Sequence, residues 1–501
     1  MTSDISEIPD GRRRILVWLL PVLWTLGFGL WGLSRQDSVW RDEAATWQVA
    51  VRPAGEIWEM LGNVDAVHGL YYLLMHALFE LFGAGTTTLR LPSVLAVAAA
   101  AACVALIGRR LAGFWAGLGA GLALALLPAV QFHLQEGRPY ALVAAGAGLS
   151  TLLLVSLLAD AGVGGPPGGG PERPRRRRWP RWTAYTAYGL TVLVCALLNW
   201  LSLLVLPAHA ATLWWVRAGR GVVGRWAVAS AGAVAGALPL VLFSRSQSEQ
   251  VSWIPPLTWH MMAGPAILLA VGGLGAVLDR PRAGRLSAAA VGLPLLAVPQ
   301  LGLAGISLAR PLFLDRYVLF GMVGLALLVG AGLGACVRAA APRFPRGAAL
   351  LVPGVVVAGV LALLPVALAD RAPASRIDDV LAVAGEVARL KQPGDAVLFV
   401  PAARRDTALV SPGAFAGLAD IALERGPAAS ATLKGEEAEP DRIRAALLGQ
   451  RRVLLVTDAA RVAKPWRAAR DAAKAAVLRE RFTVVADRQV RGRRVTVYER
   501  R

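Results

Sequence analysis

Long apolar blocks separated by short polar gaps fill the first ~370 residues of the chain. A helix rises about 1.5 Å per residue, so about 20 apolar residues cross the ~30 Å hydrocarbon core of a bilayer. Helix is the expected conformation there, because lipid offers no hydrogen-bond partners to backbone N–H and C=O groups. The pattern therefore predicts about eleven spanning helices, at 15–33, 88–108, 112–131, 139–159, 183–198, 201–216, 226–243, 259–278, 286–308, 317–337 and 347–369.

The apolar segment 69–83 decides how the chain is oriented. Its length of ~15 residues favours a helix lying at the membrane interface over one that crosses. If it does not cross and the N-terminus is cytoplasmic, the cytoplasmic loops receive Arg12 to Arg14 and the arginine run 173–181. That arrangement satisfies the positive-inside rule. We therefore predict a multi-pass protein of the cell membrane with a cytoplasmic N-terminus and an extracytoplasmic C-terminus.

After about residue 370 the composition becomes that of a soluble domain. Strands alternating with helices are typical of a small α/β layer, and no glycine-rich phosphate loop accompanies them. The predicted fold class is an all-α polytopic membrane domain at 1–370, with a functional first outer loop at 34–87, followed by a small extracytoplasmic α/β domain at 371–501. The predicted strands are 394–401, 451–458, 481–488 and 493–500, and the predicted helices are 376–391, 440–449 and 465–480.

The composition supports a membrane protein and argues against nucleic-acid binding. Hydrophobic residues make up 56% of the chain and charged residues 17%, whereas soluble chains have about 45–50% and about 25%. The formal net charge is +20, but the arginines lie mostly in the gaps between apolar blocks, where membrane topology requires them. The 3 cysteines lie in or at the end of apolar runs, without the spacing of a metal or redox motif.

Charged residues at the edge of a membrane are expensive and usually functional, and four clusters of them lie on the predicted outer face. The first follows span one and contains Asp42 and Glu43. One carboxylate would serve as a general base and the other as a metal or hydrogen-bond anchor. The alternative is an interfacial helix cap within a tryptophan belt.

The second cluster precedes the interfacial helix and contains Asp65, His68 and Tyr71. His68 would bind a phosphate or shuttle a proton, and the alternative is an ordinary polar contact. The third and fourth clusters place acids, arginines and phenols before spans four and ten. Arginine suits bidentate phosphate recognition, whereas salt-bridged turns are the alternative. Their candidate residues are Glu136, Arg138, Tyr140, Arg310, Arg316 and Tyr317.

In order along the chain, WRDEAATW, VDAVHGLYYLLMHALFELFG, LRLPSVLAV, QEGRPYAL and DRYVLF resemble the motifs of the GT-C glycosyltransferases. The resemblance covers residues 1–370 and is nearest to the family 39, protein mannosyltransferase-like branch of actinobacterial type. It implies transfer of a sugar, a hexose such as mannose, from a polyprenyl-phosphate donor in the membrane. The implied acceptor is an extracytoplasmic glycan, lipid or protein.

The resemblance also implies roles for single residues. Asp42 matches the catalytic base, and Glu136 matches a second carboxylate that orients the acceptor or the sugar. Arg316 and Tyr317 match the residues on the lipid phosphate, a role that Arg138 would share. No cofactor is certain, and a divalent cation, if one is used, would be bound by Asp42 and Glu136.

Two departures from the family pattern accompany this resemblance. Val67-His68-Gly69 replaces the usual His-Pro-Pro or Lys-Pro-Pro, and Glu136 replaces an aspartate of several relatives. Two other functions compete with the transferase. A transporter or lipid flippase would need inverted repeats and broken helices at mid-membrane, and the chain has no convincing repeat. A non-catalytic protein of cell-envelope assembly would not need the carboxylates at Asp42 and Glu136.

Overall fold

The computed structural model describes residues 10–35, 37–163, 181–247, 253–279, 286–466 and 468–501. The chain forms two compact units, one made of residues 1–31 and 91–367 and the other of residues 32–90 and 368–501. The predicted first outer loop, 34–87, therefore belongs to the same unit as the C-terminal α/β segment. Residues 173–180 of the predicted cytoplasmic arginine run lie outside the described part of the chain.

The helices are numbered in chain order. They are α1 (Asp10–Leu30), α2 (Arg41–Ala50), α3 (Ala54–Asn63), α4 (Gly69–Phe82), α5 (Thr86–Ala112), α6 (Phe114–Leu124), α7 (Pro128–Leu134), α8 (Tyr140–Asp160), α9 (Arg181–Leu198), α10 (Val205–Trp215), α11 (Arg220–Ser244), α12 (Ala263–Leu278), α13 (Ala288–Ala309), α14 (Met322–Ala340), α15 (Pro345–Arg371), α16 (Val380–Leu390), α17 (Asp406–Val410), α18 (Pro440–Leu448) and α19 (Ala469–Arg481). Short 3₁₀ helices lie at Ala66–His68, Trp200–Leu204, Trp259–Met262, Asp315–Gly321, Pro373–Ser375, Ala402–Arg405 and Pro412–Phe415.

Helices occupy all eleven predicted spans, but these helices differ in length. Within the described ranges, 8 helices are long and apolar enough to cross a membrane. A ninth crossing is formed if α6 and α7 count as one span, bent by 57°; Pro128 begins α7 at this bend, where its missing N–H is tolerated. The predicted spans at 183–198 and 201–216 are shorter apolar helices, separated at Asn199. The helix predicted at 69–83 is α4, which is also too short to be counted as a span.

Helix α14 forms the centre of the first unit. The 18-residue apolar stretch within α14 and the 3₁₀ turn before it is 83% buried, whereas that of α15 is 11% buried. Glycines allow its neighbours to approach closely: a Cβ added at Gly330 would lie 2.4 Å from the carbonyl oxygen of Ala116 and 2.4 Å from the amide nitrogen of Ala120, both on α6. Small residues at such crossings are expected in membranes, where van der Waals packing drives helix association.

The second unit contains the predicted α/β layer. Its strands are β1 (Ala396–Val400), β2 (Ala419–Asp420), β3 (Leu423–Arg425), β4 (Glu436–Glu437), β5 (Arg452–Asp458), β6 (Phe482–Val490) and β7 (Arg493–Arg500). The main sheet has the order β2-β1-β5-β7-β6, and β3 pairs with β4 separately. Strand β1 runs parallel to β2 and β5, whereas β7 is antiparallel to both β5 and β6. The four strands and three helices predicted here are thereby confirmed.

The central strands β1 and β5 are buried on both faces of the sheet, as their apolar sequences require. Leu398 and Val400 pack on one face with Ile443 and Leu447 of α18. Alternate residues of β1 face the other way, where Phe399 packs with α16. Because successive side chains of a strand point to opposite faces, a continuous apolar run fits a strand covered on both sides.

The close crossing of α14 and α6 makes Gly330→Ala destabilising. The new methyl group would overlap backbone atoms of α6, and overpacking of this kind costs about 1–3 kcal/mol. The matched control is Gly273→Ala in α12, where an added Cβ meets nothing within 4 Å. Thermal unfolding of the purified protein in detergent should show a lower midpoint for Gly330→Ala alone. Equal midpoints for the two variants would contradict this account of the crossing.

Candidate active site

The predicted site residues are divided between the two units. Asp42, Glu43, Asp65, His68 and Tyr71 lie in the unit formed by residues 32–90 and 368–501. The other unit contains the remaining six, which are Glu136, Arg138, Tyr140, Arg310, Arg316 and Tyr317.

Asp42 and Glu43 lie in the first turn of α2, where the helix dipole favours negative charge. A helix turns about 100° per residue, so neighbouring side chains leave it in different directions. The structure separates the two carboxylates accordingly. Glu43 is completely buried, and Asp42 is half-buried.

Glu43 is held by two buried arginines. Arg90 donates from Nε to Oε1 at 2.8 Å and from Nη2 to Oε2 at 2.7 Å, and Arg35 donates from Nη2 to Oε1 at 3.0 Å. Burial alone would raise the pKa of Glu43, but the charges of Arg90 and Arg35 outweigh it and lower that pKa to about 2. Glu43 is therefore ionised and fully engaged, which favours the anchor role for this carboxylate over the role of general base.

Arg90 also organises the backbone that leads into α2. Its guanidinium donates to the carbonyl oxygens of Leu33 at 3.0 Å, Ser34 at 2.8 Å and Ser38 at 2.5 Å. Together with the two bonds to Glu43, one arginine thus fixes the first outer loop at several points. Arg90 is the second residue of the motif LRLPSVLAV. The pairing of Arg90 with Glu43 was not predicted.

Asp65 joins two side chains that follow it. It adopts the left-handed backbone conformation, with φ 61°, just before a 3₁₀ turn, a conformation in which aspartate is enriched. Its Oδ1 lies 2.7 Å from Nδ1 of His68, and its Oδ2 accepts a hydrogen bond from the hydroxyl of Tyr72. The predicted Asp65 and His68 are thus brought together. Tyr72 lies in the quoted motif but was given no role, and the predicted Tyr71 beside it is completely buried.

In the other unit, Glu136 lies in a tightly bonded turn. Its side chain pairs with Nδ1 of His133, and its backbone carbonyl accepts a hydrogen bond from Oγ of Ser93 at 2.6 Å. Nε2 of Gln135 donates to the carbonyl oxygens of Gly29 at 2.8 Å and of Trp31 at 2.7 Å. Glu136 is only 1% exposed, so this turn is built into the core of its unit. His133 was not among the predicted residues.

Arg316 lies among three aromatic rings. Its guanidinium carbon is 5.9 Å from the ring centre of Tyr140, 5.8 Å from that of Trp253 and 5.9 Å from that of Tyr317. The rings of Tyr140 and Tyr317 are also 6.1 Å apart, and the ring of His133 is 5.8 Å from Tyr140. Ring faces attract a cation and orient its plane. The third and fourth predicted clusters therefore meet around Arg316.

Two predicted residues of this unit differ in exposure. Arg138 is buried to 8% exposure in the turn after Glu136, whereas Arg310 lies exposed just beyond the end of α13. Trp253 was not predicted, although an isolated tryptophan in a predicted outer loop was the available signal. Among the described residues, no three His, Cys, Asp or Glu side chains lie together as a metal ion would require.

No protein-family model matches the sequence, and no curated protein matches it. Solved structures match its fold. ArnT from Cupriavidus metallidurans, bound to undecaprenyl phosphate, matches with a TM-score of 0.57 at 15% identity, over 96% of this chain and 97% of that one. The apo oligosaccharyltransferase of Archaeoglobus fulgidus matches with a TM-score of 0.50 at 10% identity, over 90% of this chain and 70% of that one.

The chain has the GT-C glycosyltransferase fold. It is a multi-pass membrane protein. The match to ArnT extends over both units of this chain, so the C-terminal α/β segment is included in it. The likeness read from the sequence motifs is confirmed at the level of the GT-C fold, and the family 39 branch stays a prediction.

The arginine pairs of Glu43 make Glu43→Gln strongly destabilising. Removing one partner of a buried ion pair leaves an uncompensated charge, which costs about 3–5 kcal/mol. The control is Glu436→Gln, because Glu436 pairs with Arg425 while both side chains are largely exposed; such a pair contributes about 0–1 kcal/mol. Thermal unfolding at pH 7 measures both. Similar small losses would show that Glu43 is not an anchor.

The same pair predicts a pH dependence. The pKa of Glu43 falls from an ordinary 4.5 to about 2 on folding, so its stabilising contribution is complete above pH 4.5 and is lost as pH falls towards 2. Wild type should therefore lose more stability between these pH values than Glu43→Gln does. Parallel unfolding curves for the two proteins across that window would contradict the assignment.

Proposed function

We propose that this protein is a membrane glycosyltransferase that moves a sugar from a polyprenyl-phosphate donor to a hydroxyl group of an extracytoplasmic acceptor. The observation that carries the proposal is the match along 96% of the chain to a protein solved with undecaprenyl phosphate bound. The donor sugar is a hexose such as mannose, and the acceptor is a glycan, lipid or protein. The N-terminus is cytoplasmic, and the reaction takes place on the outer side.

Asp42 is the general base in this proposal. Glu43 is occupied by Arg35 and Arg90, whereas Asp42 is half-buried on the same turn of α2. The Asp42 carboxylate takes the proton of the acceptor hydroxyl as that oxygen attacks the anomeric carbon. The bond between the anomeric carbon and the phosphate oxygen breaks, and the polyprenyl phosphate leaves with the bonding electrons. A single displacement of this kind inverts the configuration at the anomeric carbon.

Arg316 stabilises the leaving group. Negative charge builds on the lipid phosphate as the bond to the sugar breaks, and a preoriented guanidinium neutralises it without further reorganisation. The rings of Tyr140, Trp253 and Tyr317 hold that guanidinium in place. Arg138 and Arg310 are the further cations proposed for the phosphate.

The remaining carboxylates and the histidine orient the substrates. Glu136, paired with His133, positions the acceptor or the sugar. Asp65 orients His68 through a 2.7 Å contact, so the imidazole is set to bind an acceptor hydroxyl or a phosphate oxygen.

Asp42→Asn should abolish most of the transfer, because removing a general base lowers kcat by about 10²–10⁴-fold. The assay supplies a radiolabelled polyprenyl-phosphate hexose and membrane extract to protein in nanodiscs. Glu59→Gln is the control, since Glu59 is an exposed carboxylate of the same loop on α3. Full activity of a correctly folded Asp42→Asn would reject Asp42 as base. Absence of transfer by wild type with any hexose donor would favour a transporter or an assembly protein.

Arg316→Lys should weaken donor binding while keeping the positive charge. A lysine cannot reproduce the planar, bidentate contact or the stacking of a guanidinium, so KM for the lipid donor should rise about 10-fold, which corresponds to about 1.4 kcal/mol. Arg245→Lys is the matched control, because Arg245 is an exposed arginine just after α11. An unchanged KM in Arg316→Lys would remove Arg316 from the phosphate site.

A further inference from the structure

The C-terminal α/β segment binds directly to the helix that carries Asp42. Residue Arg41, the first of α2, donates from its backbone N to Oδ1 of Asp378 at 3.0 Å and from Nε to Oδ2 at 2.9 Å. Trp40, which precedes the helix, provides no side-chain cap. The first backbone N–H groups of a helix need an acceptor from outside it. Asp378 supplies one to α2 from 337 residues further along the chain.

Asp378 is itself fixed by a buried arginine. Arg493 on β7 donates from Nε to Oδ2 of Asp378 at 3.0 Å, and its two terminal nitrogens each donate to Asp406 at 2.8 Å. Arg493 and Asp378 are 0% and 1% exposed. Burial would raise the pKa of Asp378, but Arg493 and Arg41 keep it below its ordinary value. The capping carboxylate is therefore charged, and it cannot move away without breaking its hydrogen bond to Nε of the buried Arg493.

The other end of α2 is held as well. Arg52, just after the helix, donates to the carbonyl oxygens of Thr432 at 2.9 Å and Leu433 at 3.1 Å. An apolar contact joins Val39 and Ala44 to Val380 of α16. The C-terminal segment thus contacts α2 at both ends. Asp42 is the next residue after Arg41, which pairs with Asp378.

We infer that the C-terminal α/β segment is a positioning device for the catalytic carboxylate, with Asp378 as the residue that sets Asp42. This inference rests on the proposed function, in which Asp42 is the base. Asp378 contacts both the main chain and the side chain of Arg41, so it fixes the direction in which the first turn of α2 points. A displacement of about 1 Å in a reacting group can lower a rate by about 10²-fold.

The variant that tests this is Asp378→Asn, which keeps the size of the side chain and removes its charge. Its matched control is Asp395→Asn. Asp395 is likewise buried, accepts a hydrogen bond from the backbone N of Gln392 at 2.7 Å and pairs with Arg452. It lies just before β1, and both of these partners belong to the α/β segment itself and not to α2. Both variants remove one buried charge from that segment.

Two readouts separate positioning from stability. Below the unfolding temperature, Asp378→Asn should lower kcat by about 10-fold or more with KM for the lipid donor changed less than about twofold, as expected when reacting groups are misplaced. Hydrogen exchange of the α2 amides should accelerate by about 10-fold, since local opening becomes easier. Asp395→Asn should lower the unfolding midpoint comparably while kcat and α2 exchange stay at wild-type values.

The inference is overturned if Asp378→Asn keeps wild-type kcat, or if both variants lose kcat in proportion to their folded fraction. Faster α2 exchange without loss of kcat would also overturn it, because the position of α2 would then not limit the reaction. A wild type that transfers no sugar would reject the proposed function separately. In that case, hydrogen exchange of the α2 amides in the two variants is the readout that decides whether Asp378 holds α2 in place.

Discussion

The ion pair between Arg90 and Glu43 is the interaction on which the first outer loop depends. Neither side chain is exposed at all, and two charges taken out of water are tolerable only with close, well-directed partners. Arg90 meets this requirement by pairing with Glu43 and by donating to three carbonyl groups of the preceding backbone. The geometry of α2 follows from it: one carboxylate of the first turn is locked inward, and Asp42 is directed elsewhere.

Much of the architecture could be predicted because its causes are local. Apolar blocks of about 20 residues and alternating strand patterns located the helices of the membrane part and the strands β1, β5, β6 and β7. Local pattern could not show that residues 32–90 form one compact unit with 368–501. That association depends on Arg41 and Asp378, which are 337 residues apart. Likewise, local pattern did not show how a single residue, Asn199, separates the two helices of the 183–216 region. Its side chain accepts a hydrogen bond from the backbone N of Leu201 and begins a 3₁₀ turn.

The candidate site was predicted unevenly for the same reason. Motifs singled out Glu136 and Tyr140 in one cluster and Arg316 and Tyr317 in another, because the members of each pair are close in sequence. His133 and Trp253 could not be chosen, since a histidine inside an apolar helix and a tryptophan in a loop have many ordinary roles. Their meaning comes from three-dimensional contact, with Glu136 in one case and with Arg316 in the other. The candidate site thus consists of contacts between residues, whereas sequence patterns identify single residues.

The distance along the chain between Arg41 and Asp378 has a consequence for synthesis. A ribosome adds about 5–20 residues per second, so the carboxylate that caps α2, 337 residues further along, is made roughly 17 to 67 seconds after the helix itself. Until then the first turn of α2 lacks this acceptor, and Arg90, which is made only 47 residues after Glu43, is the partner available to it. Arg493, which pairs with Asp378 in the folded chain, is made a further 115 residues later.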